Sequence, residues 1–244
     1  MKWSDLKFSV FDTETTGFDK DSDRVVAFAR LDTGMQFHDS LKLEYYSLVN
    51  PGRRIPPEAS AIHHITDRMV AKERSLEEVL ADALWPEGGT NDCMVAHNAA
   101  FDLQFLPRPK KPVLCTWRLA RKLWPEMESH SNQYLRYFFN LDVDLGTLSA
   151  HHALADVRVT AKIFLHAMSV LQSRAKDPEN LDVAALEEWL NKPMMLGTCR
   201  FGNKHYGRKW AEVPKSYPEW MKREVKDMDM DTRYTVDKLL GIVS

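Results

Sequence analysis

The sequence predicts an α/β domain built on a mixed sheet flanked by helices, with a small C-terminal appendage. Three observations predict it: strand-like segments at the N-terminus, short apolar runs alternating with helical patterns after them, and a change of composition beyond residue 180. Strands that follow one another closely form antiparallel meanders, whereas strands separated by helices pair in parallel, so the two together give a mixed sheet. A chain of 244 residues accommodates one full domain and a small addition. The domain is expected over residues 1–172, a linker over 173–180 and the appendage over 181–244.

The first strand is the apolar run that begins KFSVF and ends in the turn-prone TTG at residue 17. Val25 to Leu31 reads as the second strand, LDTG as a turn, and Leu41 to Val49, with its alternating Tyr, Leu and Val, as the third. Prolines and a glycine in NPGRRIPP break regular structure. EASAIHHIT suggests a short helix, and Ser75 with Glu78 three residues on has the form of a capping box opening the helix SLEEVLADALW. Residues 93–97 and 113–115 are short buried strands. Each leads into a helical pattern, NAAFDLQFL and TWRLARKLW. After the helix candidate SNQYLRYFFN comes the longest helical pattern, His152 to about Leu171, with Ala153, Val157, Ala161, Phe164, Leu165 and Met168 at core spacing. SRAKDPEN marks the linker, and a short helix follows over 183–190. The glycines, aromatics and bases of LGTCRFGNKHYGRKW then suggest a hairpin with a cationic surface (Arg200, Lys204, His205, Arg208, Lys209), backed by the helices YPEWMKREV and TRYTVDKLL.

A net charge of −2 argues against wholesale electrostatic binding to nucleic acid and leaves room for a local basic surface. Three scattered cysteines without C-x-x-C spacing predict neither a disulfide framework nor a zinc site and suit a reducing interior. There is no secretory h-region and no apolar run near the ~20 residues that span a bilayer, so the expectation is a cytoplasmic protein without a membrane partner.

Four acids need explaining. Asp12 and Glu14 are two apart at the end of the first strand and therefore project from one face. Asp102 and Asp156 sit among apolar residues at helix starts, where a buried unpaired charge is very costly. Each alone reads more often as a solvated carboxylate than as a ligand. Together they fit one oxygen-rich site for divalent cations such as Mg²⁺.

The order D-x-E, then H-N-x-x-F-D (97–102), then H-x-x-x-x-D (151–156) resembles the DEDDh group of the DnaQ-like 3′–5′ exonucleases, whose fold is ribonuclease H-like. The likeness runs from about Phe8 to Val170. Val49-Asn50-Pro51-Gly52 and Ala61-Ile62-His63-His64-Ile65-Thr66 are similar to further family signatures. VAHNAAFD, CTWRLARKLWP and the tail FGNKHYGRKW resemble the bacterial exonuclease X branch, although Asn203 interrupts that branch's F-G-K-x-x-G element.

The resemblance implies two metal ions, Mg²⁺ with Mn²⁺ able to substitute. Asp12, Glu14 and Asp156 would hold one, Asp12 would help hold the second, and Asp102 would act on the second through water. A histidine serves as general base. Helix geometry favours His152, four residues before Asp156, while the family spacing selects His151, which is the choice made here. The resemblance also implies substrate contacts from Thr13, Phe18, Ile62, His63, Asn98 and Phe101, with Phe18 a candidate wedge at a duplex end. The expected substrate is DNA with a 3′ end, single-stranded or duplex. An RNase T-like or oligoribonuclease-like trimmer of RNA is the nearest alternative, and an inactive nucleic-acid-binding module is the non-enzymatic one.

Overall fold

The computed structural model describes residues 1–35, 43–85 and 89–243. Its sheet comprises β1 (Lys7–Thr15), β2 (Val25–Gly34), β3 (Leu43–Leu48), β4 (Cys93–Ala96) and β5 (Val113–Cys115), in the order β3-β2-β1-β4-β5. The β1–β2 and β2–β3 pairs are antiparallel and the β1–β4 and β4–β5 pairs parallel, which makes the sheet mixed. β2 continues through LDTG, where the sequence suggests a turn, because Lys7 to Ser9 remain paired with Asp32 to Gly34. The third strand is seen from Leu43, residues 41 and 42 lying outside those described.

The helices are α1 (Pro57–His63), α2 (Asp67–Val70), α3 (Leu76–Asp82), α4 (Ala99–Asp102), α5 (Thr116–Leu123), α6 (Asn132–Phe138), α7 (Ala153–Arg174), α8 (Val183–Asn191), α9 (Ser216–Glu224) and α10 (Met230–Leu239). The capping box at Ser75 and Glu78 is formed in full. α4 is a single turn where NAAFDLQFL suggests a longer helix. Pro107 disfavours helical backbone at Leu106, and Pro109 and Pro112 prevent the pattern from resuming.

Strand alternation assigns the two faces of the sheet. Phe8 and Val10 of β1, Ala29 and Leu31 of β2 and Val95 of β4 pack with α5, α6 and α7. Phe11, Phe28, Met94 and Ala96 pack with α3 and Trp85 on the other face. Two contacts fix α7 on the sheet. Phe164 meets Phe8 edge-on at 4.7 Å, and the Arg158 guanidinium donates twice to the Glu44 carboxylate on β3 at 2.8 and 2.7 Å.

Residues 175–180, in the segment expected as a linker, are tied to the N-terminus. Trp3 Nε1 donates to the carbonyls of Asp177 and Asn180, and Lys2 bridges Asn180. Leu181, Leu186 and Leu190 join the core of the sheet and α7, so α8 packs with the main body. A separate core of Leu196, Cys199, Trp210, Val213, Met221, Met228 and Val236 begins after it. The expected hairpin in this second core is reduced to one bridge, Thr198 to Lys209. Between its ends the chain turns through Gly202 and Gly207, both at positive φ. His205 is buried edge-on against Tyr217 at 4.6 Å and adds nothing to the exposed bases.

Candidate active site

β1 reaches beyond its pairing with β4, which ends at Val10, so its C-terminal half stands at the open end of the parallel strands. Even-numbered residues of β1 face α7. Asp12 and Glu14 therefore continue the face of Phe8 and Val10, and the first turn of α7 brings Asp156 to meet them. One carboxylate oxygen from each of Asp12, Glu14 and Asp156 lies within 4.8 Å of the others. Odd-numbered residues face the other way. Thr13 follows Phe11 onto the α3 side, where its N–H and its hydroxyl donate to Asp102 Oδ1 at 3.0 and 2.7 Å. Asp102 is thus held by Thr13 beside the other three, close enough for its charge to act on Asp12 and Glu14.

The electrostatics are those of crowded anions. Burial, and then the charges of Asp102, Glu14 and Asp156, hold Asp12 well above the usual carboxylate range. Burial, Asp156 and Asp102 push Glu14 up to about 8. Burial alone raises Asp102 to about 7, against the opposing hydrogen bonds from Thr13. Burial raises Asp156 too, opposed first by the charge of His151 and then by its backbone N–H. Converging oxygen donors whose ionised forms are disfavoured by one another are the donor set that a hard divalent cation relieves. The residues therefore fit such an ion.

This predicts a specific pH dependence. Glu14 has a folded pKa above its unfolded value, so the native state binds more protons and stability falls as pH rises from about 4.5 through about 8. In EDTA, Tm should decline across that window. Millimolar Mg²⁺ should restore most of the loss near the alkaline end and little near the acid end, as read by thermal unfolding monitored by circular dichroism. A Tm in EDTA that rises with pH would contradict the assignment.

The amides of Asn132 and Gln133, at the start of α6, approach Asp156 Oδ1 at 3.5 and 3.3 Å, and the Thr160 hydroxyl donates to Asn132 Oδ1, which turns the amide NH₂ toward the carboxylate. Neither residue is conspicuous in the sequence. Tyr46 is likewise inconspicuous, yet it stacks on His152 at 4.6 Å. His152 Nδ1 is buried without a hydrogen-bond partner. His151 stands apart in left-handed backbone (φ 61°), its N–H donating to Asp156 Oδ2 at 2.9 Å and its side chain exposed.

Phe18 is 79% exposed and meets Phe101 edge-on at 5.9 Å. The turn carrying it needs Gly17, because a Cβ there would lie 2.4 Å from Asp23 Oδ2, which accepts from the N–H of Asp19. Ile62 is exposed on the last turn of α1. His63 is buried, its Nδ1 accepting from the Ile65 N–H at 3.0 Å. Asn98 is exposed in left-handed backbone, and its carbonyl accepts from Phe101 to open α4.

The exonuclease family model (RNase T) matches residues 9–164, which include every one of these side chains. The chain belongs to this exonuclease family. Exodeoxyribonuclease 10 of Escherichia coli strain K12 is 30% identical over 235 residues, spanning 95% of this chain and 97% of that protein. The DNA polymerase III subunit epsilon of Treponema pallidum is 32% identical over 168 residues, 65% of this chain and 75% of its own. Among solved structures, exonuclease X in complex with 5′-overhanging duplex DNA superposes with a TM-score of 0.60 at 32% identity, covering 74% of this chain and 99% of that one. This exonuclease family is divalent-metal dependent, and the carboxylate cluster of this chain has the corresponding donor set. Among the described residues, no helix is long and apolar enough to cross a membrane.

Proposed function

We propose that this protein is a 3′–5′ exodeoxyribonuclease that releases 5′-mononucleotides from the 3′ end of DNA, using two Mg²⁺ ions (or Mn²⁺) and working in the cytoplasm. The observation that carries the reading is the convergence of Asp12, Glu14 and Asp156 at the open end of the sheet. DNA is favoured over RNA by likeness along almost the whole chain to an exodeoxyribonuclease. Three buried cysteines, all free, favour a reducing compartment.

In this reading Asp12, Glu14 and Asp156 would hold one ion, Asp12 would help to hold the other, and Asp102 would act on the second through water. Divalent ions bound there would neutralise the carboxylates and supply stabilisation for charge developing on the attacking and leaving oxygens. His151 accepts the proton of the attacking water. Its exposed imidazole is free for that work, whereas His152 is engaged with Tyr46. Phe18 and Phe101 offer a stacking surface for the terminal bases, Ile62 packs on the other side of the terminal base, His63 lies near the 3′ end, and Asn98 orients the second motif.

The test is hydrolysis of 3′-labelled DNA and of 3′-labelled RNA, each with Mg²⁺ or with EDTA. Mg²⁺-dependent release of mononucleotides from DNA is expected. Preference for RNA would transfer the chemistry to the other polymer, and no release from either would leave a binding module. His151→Ala should lower kcat by about 10²–10⁴-fold at saturating Mg²⁺, while His152→Gln should lower it far less. Phe18→Ala should slow degradation of duplex ends on the order of tenfold, and more than that of single strands. Equal slowing on both would remove the wedge role.

A further inference from the structure

A cleft of about 410 Å³ separates the main body from the second core. One wall comes from α5 and the segment that leads into α6, the other from residues 194–206 and the start of α10. The start of α6 links it to the carboxylate site: Ser131 lines the cleft, and the next two residues, Asn132 and Gln133, are those whose amides approach Asp156. The carboxylate site does not account for it, and the wall from residues 194–206 and α10 lies beyond residue 164, where the family match ends.

Its chemistry is that of a nucleotide binder. Arg121 and Arg200 reach it from opposite walls, and both charges bear on His130 between them. Arg121 lies over the Trp117 ring at 4.3 Å. Arg200 is exposed, its Nη2 donating to the Glu128 carbonyl at 3.0 Å and its Nε to Thr198 Oγ1 at 3.2 Å, so the guanidinium is aimed across the cleft rather than loose in solvent. Tyr206 offers a ring that is 60% exposed. Two acids temper this charge, since Asp229 lines the cleft and Asp231 pairs with Arg121 itself. Asp229 caps α10 by accepting from the N–H groups of Asp231 and Thr232, and Asp231 is buried against Arg118 and Arg121. Arg200, opposite the ion-paired Arg121 and with aromatic rings beside it, suits a phosphate flanked by bases.

We propose that this cleft holds single-stranded DNA on the 5′ side of the cleaved bond, so that the C-terminal unit is the second half of the substrate track. The polarity rests on the exonuclease reading above. When the terminal nucleotide occupies the carboxylate site, all remaining nucleotides of that strand lie to its 5′ side, and the cleft linked to the site by the start of α6 is where they lead.

Fluorescence anisotropy in EDTA, with a 5′-fluorescein oligo-dT of about 12 nucleotides, measures binding without hydrolysis. Arg200→Glu should raise Kd about tenfold and reduce the slope of log Kd against log salt by about 0.7, the value for one phosphate contact to a single strand. Tyr206→Ala should raise Kd about fivefold or more with the salt slope unchanged, as loss of base stacking requires. Lys176→Glu, the same charge change on an exposed residue outside the cleft, is the control. Wild-type affinity in both cleft variants, or an equal effect of Lys176→Glu, would overturn the proposal. The hydrolysis assay is independent of this one: cleft variants that lose binding in a protein that hydrolyses neither polymer would retain the binding site and remove the exonuclease reading.

Discussion

Asp12→Asn is expected to lower kcat by at least about 10³-fold and, in the same protein, to raise the Tm measured in EDTA. The two effects have one cause. Asp12 faces Glu14 and Asp156 across a gap of less than 4.8 Å and feels Asp102 as well, so in the absence of a cation it is held well above the ordinary carboxylate range by burial and by its neighbours. An amide of the same shape removes that repulsion. Glu14, pushed from 4.5 to about 8, gives the scale. At 1.36 kcal/mol per unit, discounted because the side chain is partly exposed, relief of one charge is worth on the order of 2–4 kcal/mol near neutral pH, or about 5–10 °C for a chain of this size. In the proposed two-metal reading the same substitution would delete a ligand whose bound ion would supply several kcal/mol of transition-state stabilisation, and each 1.36 kcal/mol is tenfold in rate. Glu14→Gln should behave alike. Adding Mg²⁺ should narrow or reverse the Tm difference, because only the wild type retains the full donor set. An EDTA Tm that falls in both variants would mean that these carboxylates stabilise the fold, contrary to the crowded-anion picture.

This antagonism between folding and chemistry also explains which parts of the site were legible in the sequence. Strand alternation is local, so two residues apart on an apolar strand put Asp12 and Glu14 on one face, and the helical spacing of Ala153, Val157 and Ala161 gave α7 a buried stripe beside Asp156. Acids placed where burial penalises them stand out against that pattern. The groups that orient Asp156 do not. Asn132 and Gln133 are ordinary polar residues at a helix start, and their role depends on contacts 23 and 24 residues away. Tyr46 lies on β3, and only the closed sheet brings it onto His152. The His151–His152 choice shows the same limit. Spacing along an ideal helix favours His152, but α7 begins one residue later, leaving His152 as its N-cap stacked on Tyr46 and His151 in left-handed backbone outside the helix. In the C-terminal part, turn residues and composition suggest a linker over 173–180. The apolar side of α8 nonetheless packs against the main core, and composition carries no information about which core a helix joins.

Asp231→Ala is expected to destabilise the protein by about 3–5 kcal/mol, and to do so unevenly. Asp231 is 2% exposed on α10, and its carboxylate is the meeting point of three segments. Oδ2 accepts from Arg118 at 3.2 Å and Arg121 at 3.1 Å, both on α5 of the main body, while Oδ1 accepts from the Met194 N–H at 3.0 Å. Arg118 in turn donates to the carbonyls of Leu190 and Lys192, which fixes the exit from α8. Alanine leaves two mostly buried guanidinium groups facing each other without a counter-charge, the situation in which breaking an ion pair costs far more than the pair was worth. Asp231→Asn keeps the shape and the Met194 contact and should lose less. Because the core around Trp210, Met221 and Val236 is separate from the one around α7, the loss should fall on the C-terminal unit first. Thermal unfolding should then show an early transition, and trypsin should cut beyond residue 192 before it touches the main body, with the carboxylate site still able to bind Mg²⁺. A single transition displaced as a whole would instead mean that the two cores unfold as one cooperative unit, joined through Asp231 more tightly than their separate apolar contacts suggest.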